Sequence, residues 1–180
     1  VDEIPISDEK NKPMHIPRQI GEYYVHKKII EVDNSVLVAC NDPDSQGEKL
    51  AIKCVPMRLY DVCKGEPEVM GSINHKNVMK IKRSFLYPPE NPRFFAIVMP
   101  RACGDLVNYF LENDSPVPEP IVCKIMKDSL EGLKAIHAEN ICHRDIKLDN
   151  IFILKETRYG PKCAIGDFGF ALHMNGDEII

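Results

Sequence analysis

Between Tyr23 and Lys53 the apolar positions suit the faces and edges of a β-hairpin. Tyr24, His26 and Ile29 fall on one run and Val36, Val38 and Cys40 on the next. The turn-forming run Asp42-Pro43-Asp44-Ser45-Gln46-Gly47 follows, and Leu50-Ala51-Ile52-Lys53 resumes a strand that closes on a charge. Residues 58–73 predict a short helix, but Gly65 and Pro67 fall inside it, so a kink or a late start is expected. Val78-Met79-Lys80-Ile81 and Phe94–Met99 predict two strands around a loop that carries Pro88, Pro89 and Pro92. After Pro100 the period changes. A short helix is predicted over Asp105–Glu112 and a long one over Glu119–Glu139, with Val122, Ile125, Met126, Leu130, Leu133 and Ile136 on one face. Pro118 and Pro120 sit where a first turn tolerates them, and Asn140 fits a left-handed cap. Two further strands, Ile151–Leu154 and Cys163–Gly166, are joined by a segment containing Gly160-Pro161. The first 19 residues hold Pro5, Pro13 and Pro17 among charges without a period, and read as an extended tail.

Composition narrows the classes without choosing among them. A chain of 180 residues, 44% hydrophobic and 28% charged, is ordinary globular material with enough length for one or two cores. A net charge of -4 and the lack of a long basic run argue against a nucleic-acid partner. No apolar stretch approaches the roughly 20 residues that span a bilayer, so no membrane partner is expected. Seven cysteines stand at 40, 54, 63, 103, 123, 142 and 163 with no C-x-x-C pair, and most have apolar neighbours. That pattern suits reduced thiols and a cytoplasmic, intracellular setting better than a disulfide framework. The six histidines lack ligand spacing, so a His/Cys metal site is not expected.

Chemistry concentrates in His143-Arg144-Asp145-Ile146-Lys147-Leu148-Asp149-Asn150 and in Asp167-Phe168-Gly169. Charges alternate there with Ile146 and Leu148, which predicts a loop fixed to a core and aiming polar groups toward a common point. The run and the tripeptide bring together oxygen donors (Asn150, Asp167), a mobile cation (Lys147) and a carboxylate (Asp145). Any one of them alone is better read as a solvated loop residue; eight in register followed by Asp-Phe-Gly are not.

These motifs resemble the H-R-D-x-K-x-x-N and D-F-G of protein kinases. From about Tyr23 onward the chain is similar to that family, and Lys147 after Arg144-Asp145 resembles the serine/threonine branch. The resemblance implies an α+β, protein-kinase-like two-lobed fold, an antiparallel N-lobe sheet with one helix plus a truncated, mainly helical C-lobe. It gives 1–19 as tail, 20–99 as N-lobe and 100–180 as hinge and partial C-lobe. ATP and Mg2+ are the implied cofactors and a protein hydroxyl the implied substrate. Asp145 would orient or deprotonate that hydroxyl, with Lys147 beside it, and Asn150 and Asp167 would hold the metal.

The same resemblance assigns the nucleotide site. Lys53, in Ala51-Ile52-Lys53, would grip the α- and β-phosphates and pair with Glu66, with Glu68 as the alternative because Gly65 and Pro67 can shift the helix. Val36 would cap the adenine, and Ala51 would be a further cofactor-binding residue. Met99 would be the gatekeeper, with the Pro100 carbonyl and the Ala102 amide facing the base; a plain interdomain linker is the other reading of that segment. His143, Phe168, Met70 and Ile81 would stack as the apolar spine of active kinases, or serve as ordinary core.

Two departures set up an alternative. Ile29–Val36 carries no glycine where G-x-G-x-x-G-x-V would stand, and Glu31 and Asp33 would set negative charge near a tetra-anionic nucleotide. The chain also ends at Ile180, eleven residues past Gly169, so the A-P-E motif and later helices are missing from it. Apolar surface on the 119–139 helix is then expected to be exposed unless a partner covers it. The leading expectation is a serine/threonine protein kinase. The alternative is a pseudokinase or scaffold with weak or no nucleotide binding, and a small-molecule kinase of related fold is a distant third.

Overall fold

The computed structural model describes residues 4–8, 12–32, 35–42, 48–112 and 116–174, with side chains from His15 onward except Val32. The chain divides into two compact units, Val1–Pro67 with Ile81–Arg101, and Glu68–Lys80 with Ala102–Ile180. Residues 68–80, expected with the first part of the chain, therefore group with the second.

The first unit opens with β1 (Ile4–Asp8) and β2 (Lys12–Ile16), paired antiparallel. Then β3 (Gln19–Ile20), β4 (Tyr23–Val32), β5 (Ser35–Asn41), β6 (Lys49–Pro56), β7 (Arg83–Tyr87) and β8 (Phe94–Pro100) build a six-stranded antiparallel sheet in the order β3-β4-β5-β6-β8-β7. Strands β5, β6 and β8 are apolar at nearly every position, and β6 and β8 bury residues on both faces. One face packs Val36, Val38, Cys40, Leu50, Ile52, Cys54, Phe94, Ala96 and Val98 beneath Ile16, Ile20 and Tyr23. The opposite face packs Val55, Phe95 and Ile97 against Leu59, Tyr60, Ile81 and Met99. The segment read as a tail is thus more than that: it pairs with itself, and Ile16 is fully buried core, as is Ile20 just beyond it.

The helical segment is broken as its glycine and proline require. Helix α1 (Tyr60–Cys63) ends before Gly65, and α2 (Glu66–Ser72) starts with Pro67 in its first turn, where the missing N–H has no intrahelical partner to lose. The strand expected at 78–81 does not form. Ile165 takes the local backbone instead: its N–H donates to the Asn77 carbonyl (2.9 Å) and its carbonyl accepts from the Met79 N–H (2.8 Å). The edge strand begins only at Arg83.

In the second unit β9 (Gly104–Asp105), α3 (Leu106–Leu111), α4 (Glu119–Ala138), β10 (Ile141–Cys142), β11 (Ile151–Lys155), β12 (Lys162–Ile165) and β13 (Leu172–His173) follow in order. A three-stranded sheet runs β12-β11-β9, and β10 pairs with β13. Asp105 caps α3, its Oδ1 accepting the Asn108 N–H at 2.9 Å. Asn140 has the expected left-handed conformation (φ 54°) beyond α4. Ile125 of α4 packs with Leu106, Ile151, Ile153 and Cys163. Val122, Met126 and Leu130 of the same apolar face are 37%, 53% and 58% exposed, as expected for this helix, and line an open groove of about 470 Å³ with Cys123 and Lys127. Where α4 meets the loop at Asn77 the approach is backbone to backbone: a Cβ on Gly132 would lie 2.4 Å from the Asn77 carbonyl oxygen.

All seven cysteines are free. Burial pushes the Cys40 thiol up to about 12 and the Cys163 thiol up to about 11, so neither ionises near neutrality. Among the described residues no helix is long and apolar enough to cross a membrane.

Candidate functional site

Lys53 lies on the sheet face opposite Ile16, Ile20 and Tyr23, and its partner is settled by burial. Its Nζ donates to both Glu66 carboxylate oxygens, at 3.0 and 2.9 Å. The Glu66 side chain is only 2% exposed, whereas Glu68, the alternative, faces solvent. Removing either partner of such a pair strands the other charge in a poorly hydrated place, at a cost of about 3–5 kcal/mol.

Cross-strand register decides what surrounds Lys53, because directly opposed residues of antiparallel strands share a face. Leu37 and Ile97 stand opposite Lys53, and Ala39 and Met99 stand opposite Ala51. Ile30 stands opposite Leu37. Val36, expected to cover a base, pairs with Cys54 and points into the other core, where it is fully buried. Leu37 occupies the position on the Lys53 face that Val36 was expected to fill. The run Val36-Leu37-Val38-Ala39-Cys40 is apolar throughout, so no alternation marks its faces, and Leu37 and Ala39 were missed for that reason. The charge argument at the hairpin changes too. Glu31 pairs with Val36 and so lies on the far face, where its carboxylate accepts a hydrogen bond from Lys28 Nζ. Asp33 lies outside the described residues.

Met99 is half-buried beside Ala51 on the Lys53 face, and Pro100 pairs with Leu50 at the end of β8. The Arg101 N–H donates to the Lys49 carbonyl (2.9 Å), and the division between the two units falls between Arg101 and Ala102.

In the second unit the polar loop is held by its own side chains. His143 is 1% exposed and its Nε2 lies 3.0 Å from the Gly166 carbonyl, while the Asp145 N–H donates to its Nδ1 at 3.3 Å. The neutral ring protonated at Nε2 satisfies both bonds, and burial, the dominant influence, pulls this imidazole below its ordinary range. Asn150, also buried, donates from Nδ2 to the Asp145 carbonyl (2.9 Å) and to its Oδ2 (2.8 Å), and its own carbonyl accepts the Gly166 N–H (2.9 Å). Lys147 Nζ reaches Asp145 Oδ2 at 3.0 Å. Hydrogen bonding from Lys147, aided by Asn150, holds the Asp145 carboxyl below the usual carboxylate range and raises the Lys147 ammonium. Ile146 and Leu148, expected to fix this loop to a core, are each 47% exposed. His143 and Asn150 do that work instead, through hydrogen bonds.

Phe168 is buried with its ring centroid 4.8 Å from that of His143. Met70 is buried in the same unit, while Ile81 packs in the core of the first. Asp167 and Arg144 take left-handed backbone conformations, φ 61° and 64°. An aspartate tolerates that region, but for an arginine it is uncommon and needs support. Arg144 Nε donates to the Phe170 carbonyl (2.6 Å), and the β10–β13 pairing with the Met174 N–H on the Asn140 carbonyl (2.7 Å) ties down the chain on either side.

Asn150 and Asp167 offer hard oxygen donors. Two protein oxygens suit Mg2+, which keeps waters and phosphate oxygens as its other ligands. No cluster of three or more His, Cys, Asp or Glu able to hold a metal occurs among the described residues.

The protein kinase domain model matches residues 25–179, 155 of the 180 in the chain. This chain belongs to the protein kinase domain family. Its relatives include serine/threonine-protein kinase TIO of Arabidopsis thaliana, 34% identical over 64% of this chain and 8% of TIO. Serine/threonine-protein kinase CLA4 of Saccharomyces cerevisiae is 30% identical over 78% of this chain and 17% of CLA4. "Probable serine/threonine-protein kinase zyg-1" of Caenorhabditis briggsae is 29% identical over 71% and 18%. The chain thus spans less than a fifth of the length of each of these three proteins.

Proposed function

We propose that the protein containing this chain is a serine/threonine protein kinase that transfers the γ-phosphoryl group of ATP to a protein hydroxyl with Mg2+. The observation that carries the reading is the closed Lys53–Glu66 pair, a buried carboxylate holding an ammonium on an otherwise apolar sheet face. Lys53 would hold the α- and β-phosphates, and Ala51, Met99, the Pro100 carbonyl and the Ala102 amide would meet the base. Asn150, through its amide oxygen, and Asp167 would hold the metal, which supplies charge neutralisation on the phosphates. Asp145 would accept or orient the hydroxyl. With its pKa depressed by Lys147 and Asn150 it stays ionised at neutral pH, and Lys147 keeps a positive charge beside it.

Transfer of label from γ-labelled ATP to a protein acceptor by the full-length polypeptide tests this. Asp145→Asn is expected to lower the rate by about 10²–10⁴-fold. Equal labelling by wild type and variant would defeat the assignment. A second reading, a non-catalytic scaffold of the same family, draws support from the glycine-free Ile29–Val36 segment. It predicts little or no thermal shift with Mg-ATP, so a robust shift abolished by Asp167→Asn would count against it.

A further inference from the structure

In the three-stranded sheet of the second unit β12 is terminal, with β11 as its strand partner on one side. The loop after α2 serves its other side. The Ile165 N–H donates to the Asn77 carbonyl (2.9 Å), the Ile165 carbonyl accepts from the Met79 N–H (2.8 Å), and Val78 bridges Ile165 in parallel. One bond of this set comes from a side chain. Asn77 Nδ2 donates to the Cys163 carbonyl at 2.7 Å, four residues before Asp167.

For packing alone an amide is a poor choice at this place. Asn77 is 4% exposed, and its Oδ1 is buried and accepts no hydrogen bond among the described residues. A buried acceptor left unpaired costs stability that an aliphatic side chain of similar volume would not. The Asn77 backbone is placed by other means: its N–H donates to His75 Nδ1 (3.2 Å) and its carbonyl lies against Gly132. What the side chain adds is its hold on Cys163.

That hold bears on Asp167 through a chain with little slack. The Gly166 N–H donates to the Asn150 carbonyl (2.9 Å), and the Gly166 carbonyl meets His143 Nε2 (3.0 Å). A Cβ on Gly166 would lie 2.7 Å from Met79 and 2.8 Å from Phe152. Asp167 then turns into the left-handed region (φ 61°), a conformation that persists where the surrounding structure over-determines it.

We infer that Asn77 is a positioning residue for Asp167. By binding the Cys163 carbonyl it fixes the end of β12, and with it the direction from which the Asp167 carboxylate meets a divalent cation. This rests on the reading of Asp167 as a metal ligand given above and names a residue that aims it. Asn77 acts through the backbone of β12, as the outer partners of metal ligands act through the ligands they orient.

Isothermal titration of the full-length polypeptide with ADP, in Mg2+ and in EDTA, isolates the metal's share of binding. Wild type is expected to bind ADP more tightly with Mg2+, and Asp167→Asn to lose that gain. If wild type shows no gain, or Asp167→Asn keeps it, the metal reading itself fails. Asn77→Leu keeps the volume and removes the donor; Asn77→Ala removes both. Each is expected to shrink the Mg2+-dependent gain by about fivefold or more, with affinity in EDTA changed by less than about twofold. A gain that survives in both variants overturns the proposal. So does one that falls only in the less stable of the two, which marks a merely structural role. Ile20→Val, a packing loss in the core of the first unit, is expected to leave the gain intact; a fall there too traces the effect to stability and overturns the proposal. Hydrogen exchange of the unliganded chain gives a readout that needs no metal. In Asn77→Leu the Ile165 and Gly166 amides are expected to exchange about tenfold faster relative to those of β11. Unchanged exchange overturns the inference and leaves the metal reading standing.

Discussion

In the second unit, the loop from His143 to Asn150 is held by bonds that only particular side chains can make: imidazole to Gly166, amide to Asp145, ammonium to carboxylate. In the first unit, the β4–β5 hairpin is held by its backbone ladder, and the middle of β5, Val36 to Cys40, is apolar throughout. The loop keeps its family's residues; the hairpin has lost its glycines. A motif written in specific side-chain bonds announces its geometry wherever it appears. A hairpin written in backbone pairing does not, because one residue of register turns every side chain to the other face.

Substitutions can test how different the two regions are. The largest effect is expected at Gly132, where the loop's support depends on close backbone approach. Gly132→Ala drives a methyl against the Asn77 carbonyl, which itself binds Ile165 shortly before Asp167. A stability loss of about 3 kcal/mol is expected in urea unfolding. A neutral result would mean that α4 and the Asn77 loop can part without harm.

Next come adjacent positions of the hairpin. Val36→Ala empties part of a closed core and is expected to cost about 2 kcal/mol while leaving nucleotide binding unchanged. Leu37→Ala, half-buried on the Lys53 face, is expected to cost about 1 kcal/mol or less and to weaken nucleotide binding. The opposite pattern would show that the register places Val36, and not Leu37, over the ligand.

A smaller effect is expected at His143. Burial keeps this imidazole neutral when folded, so below about pH 6.5 the unfolded chain takes up a proton that the folded chain refuses. Stability attributable to this group is therefore complete above that pH and declines as pH falls toward the depressed folded value. His143→Phe keeps a ring against Phe168 but removes the titration, so its unfolding midpoint should change less between pH 7.5 and 5.5 than that of wild type. Identical declines would assign the acid limb to other groups. The smallest effect is expected for Glu31→Gln. On the far face and paired with Lys28, Glu31 should change ATP affinity by less than about twofold. A tenfold gain would restore it to the nucleotide's vicinity.

Much of this was legible in the sequence where a residue has one physical option. Pro67 and Gly65 broke the helix where a missing donor and a flexible joint require it, and Asn140 took the left-handed turn. Glu66 was preferred over Glu68 on the resemblance alone and is the residue that pairs with Lys53; Leu37 was separable from Val36 only by register, which composition does not carry. The strand expected at 78–81 failed because its backbone partners come from Ile165, far along the chain. Ile16 and Ile20 were hidden among prolines and charges, although a sheet with two apolar faces needs cover on both. Ile146 and Leu148 misled in the other direction: their alternation with charges implied a hydrophobic anchor where the hold is polar.

The tie between Asn77 and β12 has a consequence for the order of assembly. Asn77 Nδ2 donates to the Cys163 carbonyl (2.7 Å) across 86 residues of sequence. During synthesis, the strands of the six-stranded sheet have all appeared by Arg101, while residues 68–80 must wait for the length of α4 and both strands beyond it. Long-range closures of this kind form late. In a refolding experiment read by pulsed hydrogen exchange, amides of β5, β6 and β8 should gain protection before those of Met79 and Ile165. The two loops that carry Asp145 and Asp167 would then be the last parts of the molecule to set.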